Sequence, residues 1–444
     1  MINITIIGTG YVGSVTGACL ADFGNKVICI DNNKEKIAAF QKGIIPIYEP
    51  GLAEVVARNI NSGRLSFSTD LESAVKTSKV VFIAVGTPPK EDGSADLCYV
   101  EEVARQIASA MEQYTIVVNK STVPIGSVKK ITSLIMNEFE KIGKNIPFDV
   151  LSNPEFLREG TAVYDFTHPD RVVLGSKSDK ALEIMKNVYR PLYINETPFI
   201  ETSAETAEMI KYASNAFLAT KITFINEIAN LCEKTGANVQ DVARAMGKDG
   251  RIGNKFLHPG PGYGGSCFPK DTRALAKTGR YYGETLTLVE SVICANENQK
   301  KRQAERIESA FGGVNSLKDK TIAVLGLSYK SNTNDMREAP SITLCKYLAS
   351  KGAKLRVYDP AAMDEAKNIF SSIKESLFYA ADEYDAISGS QALVILTEWH
   401  QFRNMDLSRI KHSMKENPCF FDLRNIYKRK DVEEVGFKYF GVGK

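Results

Sequence analysis

The 444-residue sequence predicts an α/β protein with two parallel-sheet domains joined by a central helical region. Three observations carry that expectation. Short apolar strands alternate with helical stretches through the first third, long helix-periodic segments fill the middle, and the alternation restarts near Lys320. Strands separated by helices are read as crossover units of a parallel sheet. The expected domains are residues 1–200, 201–311 and 312–444.

Composition narrows the classes. Fifty-six Lys and Arg against 53 Asp and Glu, a net charge of +3, give no field that points to nucleic acid or an anionic membrane. An anionic ligand must therefore be met by local charges. The eight cysteines are scattered, with no C-x-x-C pair and no zinc-like spacing with the four histidines. No metal site is expected, and the thiols read as reduced, as in the cytoplasm. The opening residues alternate as a strand and reach Gly8 too soon for a signal-peptide core. No apolar run approaches the ~20 residues of a membrane helix. A soluble cytoplasmic protein follows from these readings.

The strand Ile2 to Ile7 leads into Gly8-Thr-Gly10-Tyr11-Val12-Gly13, then a helical pattern from Val15 to Phe23, then the strand Lys26 to Ile30 ending in Asp31. Strand, G-x-G-x-x-G, helix, strand and acid make a Rossmann dinucleotide unit. Gly8 permits the turn, Gly10 lets a pyrophosphate approach the helix amides, and Gly13 lets helix and strand pack closely. Asp31 stands where a carboxylate accepts the adenosine ribose hydroxyls and repels a 2′-phosphate. NAD is thus favoured over NADP, with Lys36 nearby as a counterweight.

Strands are expected at Val80–Val85, Thr115–Val118 and Phe148–Leu151, with helices near Val100–Met111 and Val128–Lys141. Polar residues gather where these strands end: Gly86-Thr87-Pro-Pro89, Ser121-Thr122, and Asn153-Pro-Glu155-Phe-Leu-Arg-Glu159. Ligands collect at that edge of an open parallel sheet. Each could also be ordinary turn chemistry. Glu155 and Glu159, four apart, are read as sharing a helical face, as a base and a positioning group or as solvated surface carboxylates.

From Thr202 the pattern turns to long helices. Thr202-Ser-Ala-Glu205 reads as a capping box, and the helix it opens runs to about Lys234 with a stop at Gly236. Lys211 and Asn215 are spaced i, i+4 on it; Lys211 is either a snorkelling surface residue or a group that stabilises an oxyanion. Four glycines stand in the eight positions before Cys267, which itself precedes Phe268-Pro269-Lys270-Asp271. Such a backbone turns tightly and lies close to something bulky. Pro269 suits the first position of a helix, whose positive end together with Lys270 favours a thiolate. Cys267 is accordingly read as a nucleophile, with a buried structural cysteine as the alternative. A further periodic stretch runs from Leu286 to Phe311.

Strands are expected again at Lys320–Leu325, Lys354–Tyr358, Ala392–Leu396 and Cys419–Phe421. Here Gly326-Leu-Ser-Tyr-Lys330 replaces the full glycine fingerprint. Lys330, Arg337 and Arg424 at these strand ends are cations suited to a diphosphate, or solvated loop charges.

Taken together, the glycine turn, Val85-Gly-Thr-Pro88, Ser121-Thr-Val-Pro124, Asn153 to Gly160, Lys211 with Asn215, Gly262 to Asp271 and Asp335-Met-Arg-Glu338 resemble the nucleotide-sugar 6-dehydrogenases of the UDP-glucose/GDP-mannose dehydrogenase family. The resemblance spans nearly the whole chain and is closest to the members acting on UDP-glucose. It implies four-electron oxidation of UDP-glucose to UDP-glucuronate by NAD through a Cys267 thiohemiacetal and thioester, with GDP-mannose or UDP-N-acetyl-hexosamine oxidation as the alternative.

The resemblance also implies site residues. NAD would be contacted by Gly8, Gly10, Tyr11, Val12, Gly13, Asp31, Lys36, Gly86, Thr87, Thr122, Glu159, Cys267, Lys270 and Arg337. The sugar nucleotide would meet Glu155, Phe156, Leu157, Arg158, Lys211, Asn215, Arg251, Phe256, Gly260, Tyr263, Gly264, Lys330 and Arg424. Cys267, Lys211, Asn215, Asp271, Glu155 and Thr122 would carry the chemistry, with Asp271 and Glu155 competing for the role of base. Arg251 is implied to reach the substrate of a neighbouring subunit, which makes a homodimer the expected assembly.

Overall fold

The computed structural model describes residues 1–314 and 316–444, which form two compact units. The first comprises Met1–Ser214 with Lys277–Gly283, the second Asn215–Ala276 with Glu284–Lys444.

Eight strands build the sheet of the first unit: β1 (Asn3–Ile7), β2 (Lys26–Ile30), β3 (Leu65–Ser68), β4 (Val80–Ile83), β5 (Thr115–Asn119), β6 (Phe148–Ser152), β7 (Val172–Gly175) and β8 (Phe199–Thr202). Their order is β3-β2-β1-β4-β5-β6-β7-β8. Neighbours run parallel except β6 and β7, which meet antiparallel at Ser152 and Gly175. β4 and β5 are buried along their length, β4 wholly apolar and β5 apolar between Thr115 and Asn119, because helices cover both faces. Ile4, Ile6, Phe82 and Val118 fill one face of the sheet, and Ile7, Val81, Ile83 and Val117 the other. Strand order reverses between β1 and β4, the switch point beside which an open sheet of this kind holds its ligand.

The sheet of the second unit is parallel throughout: β9 (Thr321–Leu325), β10 (Lys354–Tyr358), β11 (Leu377–Tyr379), β12 (Ala392–Ile395), β13 (Cys419–Asp422) and β14 (Lys438–Gly441), in the order β11-β10-β9-β12-β13-β14. The long helix Ala204–Thr235 supplies residues to both units. Gly236, at φ 78°, ends it in the left-handed region that costs glycine least. A second long helix spans Thr287–Ala310.

The α/β class with two sheets, one mostly and one wholly parallel, and a helical middle is therefore as the sequence predicts. The differences are local. β3, β7, β8, β11 and β14 are only three to four residues long and too short to show a period. The expected capping box does not form, and the cap falls one residue later. Thr202 finishes β8, Ser203 Oγ accepts from the Thr206 N–H at 3.2 Å, and Glu205 pairs with Lys129 at 2.9 Å. Glu155 and Glu159 share no helical face, because residues 153–158 form an irregular loop followed by a turn at 159–160. Pro154 disfavours helical backbone in Asn153, and Gly160 turns at φ 80°. Pro269 is the second residue of its helix, Phe268–Tyr281, rather than the first. Among the described residues no helix is long and apolar enough to cross a membrane.

Candidate active site

In the first unit the glycine turn connects β1 to the helix Tyr11–Asp22. A Cβ on Gly13 would stand 1.8 Å from the Gly8 carbonyl oxygen, whereas one on Gly10 would meet nothing within 4 Å. The first glycine contact is thus internal packing, and the second leaves open space over helix amides that no side chain caps. That combination suits a pyrophosphate. Asp31, at the end of β2, accepts from the Thr9 N–H and hydroxyl at 2.9 and 2.7 Å and from the Asn33 N–H at 3.0 Å. Lys36 pairs with it at 3.2 Å, so that lysine first neutralises Asp31. Partial burial alone would raise the Asp31 pKa; the Asn33 and Thr9 donors and Lys36 bring it below the ordinary value and keep it a carboxylate acceptor. These groups fit NAD.

Glu49, which the sequence reading passed over, organises this neighbourhood. The Tyr11 hydroxyl donates to its carboxylate, which also accepts the N–H groups of Gly160 and Ala162 at 2.6 and 2.7 Å. One buried carboxylate therefore ties the glycine turn to the loop carrying Glu159. At the neighbouring strand ends the Thr87 hydroxyl donates to the Thr122 carbonyl at 2.8 Å, beside Gly86. Glu208, on the long helix, accepts from the Gly126 and Val128 N–H groups at 2.6 and 2.9 Å and so caps the helix that follows Thr122.

The loop after β6 and the long helix meet through a buried ion pair. The Lys211 ammonium donates to the Glu155 carbonyl at 2.7 Å and to its carboxylate at 2.9 Å, with both side chains at most 6% exposed. Lys211 is therefore a buried lysine and does not snorkel. Burial pushes the Glu155 pKa up, but Lys211, the Leu157 N–H at 2.6 Å and Lys120 together hold it below the usual carboxylate range. Phe156 lies under the Arg171 guanidinium, 3.6 Å from its ring centre, with Lys211 at 5.3 Å. Arg158 turns to Asp165 at 2.9 Å and is more than half exposed.

In the second unit Asn215, one helical turn beyond Lys211, donates to Asp271 at 2.6 Å; Lys270 holds the other oxygen of that carboxylate at 2.6 Å. The Lys270 charge is thus committed to Asp271, and the buried Asp271 is fixed by two donors. Cys267 sits half-buried immediately before the helix Phe268–Tyr281, its carbonyl accepting the Asp271 N–H at 2.8 Å and its sulfur 3.5 Å from the Ser266 hydroxyl.

The glycine run ahead of Cys267 does lie against bulky groups, and several are protein. A Cβ on Gly262 would press on Asn296 and Lys300, one on Gly264 on the Glu338 carbonyl at 2.5 Å, and one on Gly265 on the Tyr329 ring at 2.8 Å. Three amide side chains stand in for a neighbouring strand. Asn296 binds both the N–H and the carbonyl of Tyr263, Asn226 accepts the Gly260 N–H, and Gln299 donates to the Gly260 carbonyl. The ring of Tyr263 meets Phe268 edge-on, and Phe256 takes φ 65° nearby. Arg424 reaches the Tyr329 carbonyl at 2.8 Å and Glu398 at 3.0 Å beside Gly260, while Lys330 lies over the Tyr329 ring. Arg337 is gripped by Asp335 at 2.8 Å and its carbonyl accepts the Gly265 N–H. Arg251 stands apart from these groups, 90% exposed and paired with Asp249.

The sequence reading also missed Lys120 and the three amides. A lysine at a strand end normally reads as solvated, and the amides serve loops 33 to 39 residues away, a pairing no local pattern reveals. Among the described residues no cluster could hold a metal ion.

Comparison with known proteins matches three family domains along the chain. These are the NAD binding, central and UDP binding domains of the UDP-glucose/GDP-mannose dehydrogenase family, at residues 2–193, 205–298 and 323–429. The UDP-glucose 6-dehydrogenase of Rhizobium meliloti is 51% identical over all of this chain and 99% of its own length. That named TuaD in Bacillus subtilis is 45% identical, covering all of this chain and 94% of its own. The solved UDP-glucose dehydrogenase of Pyrobaculum islandicum superposes with a TM-score of 0.90 at 36% identity, over all of this chain and 98% of that one.

Proposed function

Because the chain belongs to the UDP-glucose/GDP-mannose dehydrogenase family and is an NAD-dependent oxidoreductase, we propose that its substrate is UDP-glucose, oxidised to UDP-glucuronate. Water and two NAD⁺ are consumed, with two NADH and three protons formed. The observation that carries this reading is the pair of buried polar contacts one turn apart on the long helix, Lys211 with Glu155 and Asn215 with Asp271, the last lying four residues beyond Cys267.

Bound NAD⁺ accepts a hydride in each oxidation. Lys211 and Asn215 donate to the substrate oxygen as it becomes alkoxide-like, and again in the tetrahedral states. Cys267 adds through sulfur to the aldehyde carbon, the carbonyl oxygen taking a proton, so that the half-oxidised sugar stays attached as a thiohemiacetal. Loss of hydride and proton leaves a thioester, and water then displaces the sulfur to release the acid. Asp271, with Asn215 already on one oxygen, and Glu155 are the carboxylates that take up protons. Thr122 and Glu159 act on the cofactor side. Residues 1–200 form the NAD domain of this scheme, 201–311 the connector carrying Cys267, and 312–444 the domain that binds UDP through Lys330 and Arg424.

A homodimer completes the proposal. Phe217, Phe224 and Leu231 recur every seven residues on the long helix and are 65%, 45% and 59% exposed, an apolar stripe suited to a second copy. Counting NADH formed per sugar nucleotide consumed by the purified protein tests the chemistry. Two are expected with UDP-glucose; a single NADH with free aldehyde released, or turnover on GDP-mannose alone, overturns it.

A further inference from the structure

Beside the Lys211–Glu155 pair lies a second buried ammonium. Lys120 follows β5 directly and is 4% exposed. Its Nζ stands 3.1 Å from Asn153 Oδ1, 3.5 Å from the Asn153 carbonyl and 3.5 Å from the Tyr189 hydroxyl, all neutral oxygens. Asn153 is fixed on every side: Oδ1 also accepts from Tyr189 at 2.7 Å, Nδ2 donates to the Val173 carbonyl at 2.9 Å, and its N–H donates to the Asn119 carbonyl at 2.9 Å. Lys120 therefore grips the point where the chain leaves β6. Two residues on, the same chain delivers Glu155 to Lys211.

We propose that Lys120 is a positioning residue for the oxidation: it holds the Asn153-Pro154-Glu155 turn against Lys211 and supplies the charge that leaves this buried cluster net positive. The inference rests on the dehydrogenase reading above, in which a negative oxygen develops at Lys211.

An ammonium among neutral oxygens is a costly way to hold a turn, since an apolar side chain of similar length would fill the space without desolvating a charge. The charge has a use if an anion forms nearby, where a fixed cation in a water-poor site is worth far more than in solvent. The titratable groups facing it are Glu155 from the loop after β6, Lys211 from the long helix and the Tyr189 phenol. Burial lowers the Lys120 pKa to about 8, with Glu155 pulling upward and Lys211 pushing further down. At neutral pH the trio Lys120, Glu155 and Lys211 thus carries two positive charges and one negative.

The test compares the parent with Lys120→Met and Lys120→Arg by single-turnover NADH formation across the neutral and alkaline range, with urea unfolding alongside. At neutral pH, Lys120→Met is expected to slow the first NADH by about tenfold or more, while ligand affinities change less than about threefold. Its urea midpoint is not lowered, because the folded state no longer buries an ammonium whose hydrogen-bond acceptors are all neutral. The parent rate falls as pH rises through about 8, where Lys120 loses its proton. That limb is absent in Lys120→Met and displaced upward in Lys120→Arg, whose charge persists. A folded Lys120→Met with the parent's rate and profile overturns the inference, as does a parent without the limb. If Lys120→Met does not fold, Lys120→Arg decides, and a limb left at the parent's pH is equally fatal. Failure of the substrate reading looks different: the parent then makes no NADH from UDP-glucose, and the same comparison is run on the sugar nucleotide it does oxidise.

Discussion

Asp31 and Glu155 are both acids at strand ends, and their surroundings give them different work. Asp31 spends its lone pairs on Thr9, Asn33 and Lys36 yet keeps part of its side chain open, as a ribose acceptor requires. Asp31→Ala is expected to weaken NAD binding by about ten- to a hundredfold, the worth of hydrogen bonds to a charged acceptor, and to narrow the preference over NADP. Titration of both cofactors measures it, and unchanged affinities remove Asp31 from the cofactor site. Glu155 is closed in with Lys211, and Glu155→Gln leaves that ammonium buried without its counter-charge. Breaking one partner of a buried pair costs about 3–5 kcal/mol, readable as a lower urea midpoint at neutral pH. The pH dependence follows from the lowered folded-state pKa of Glu155. Its stabilisation is fully present above the unfolded carboxylate value of about 4.3 and is lost as pH falls through the folded value, so parent and variant converge in acid. A stability gap that does not close there contradicts the ion-pair account.

At the scale of elements, the second and third glycines of the first turn separate folding from binding. Gly13→Ala drives a methyl into the Gly8 carbonyl and must push the helix Tyr11–Asp22 off β1, so both stability and NAD binding fall. Gly10→Ala meets no protein atom. It should unfold within about 1 kcal/mol of the parent while losing NAD affinity, because the methyl occupies the approach to the helix amides. Thermal unfolding beside NAD titration separates the two, and a Gly10→Ala protein with parental affinity puts the pyrophosphate elsewhere. This turn was legible in the sequence because its strand, glycines, helix and acid are contiguous. So was the i, i+4 spacing of Lys211 and Asn215, which any helix imposes. The partners of these residues were not legible: Glu155 and Asp271 each lie 56 residues from theirs and are brought in by a loop and a helix start that carry no period. The glycines before Cys267 announced a close approach without naming the neighbour. The structure supplies it as Tyr329, Glu338, Asn296 and Lys300.

At the scale of the whole molecule, the proposed homodimer predicts that two chains complete each site. Arg251 bears on it, because it extends 90% exposed from a turn and is held by Asp249 two residues away. Exposed and fixed through a local carboxylate, its guanidinium would serve another copy's substrate in that dimer, where its planar fork matches a phosphate. If it serves the partner's substrate in a two-fold dimer, Arg251→Ala and Cys267→Ser damage different sites. Each variant alone is then nearly inactive, the first for lack of a phosphate contact and the second for lack of a sulfur. Unfolded together and refolded as a mixture, half the dimers pair one of each. In those dimers one site combines the intact Cys267 of the Arg251→Ala subunit with the intact Arg251 of its neighbour. Activity should return to about a quarter of the parent's, as closed two-fold pairing requires. Should the mixture stay as inactive as its components while light scattering shows dimers, Arg251 acts within its own chain or not at all.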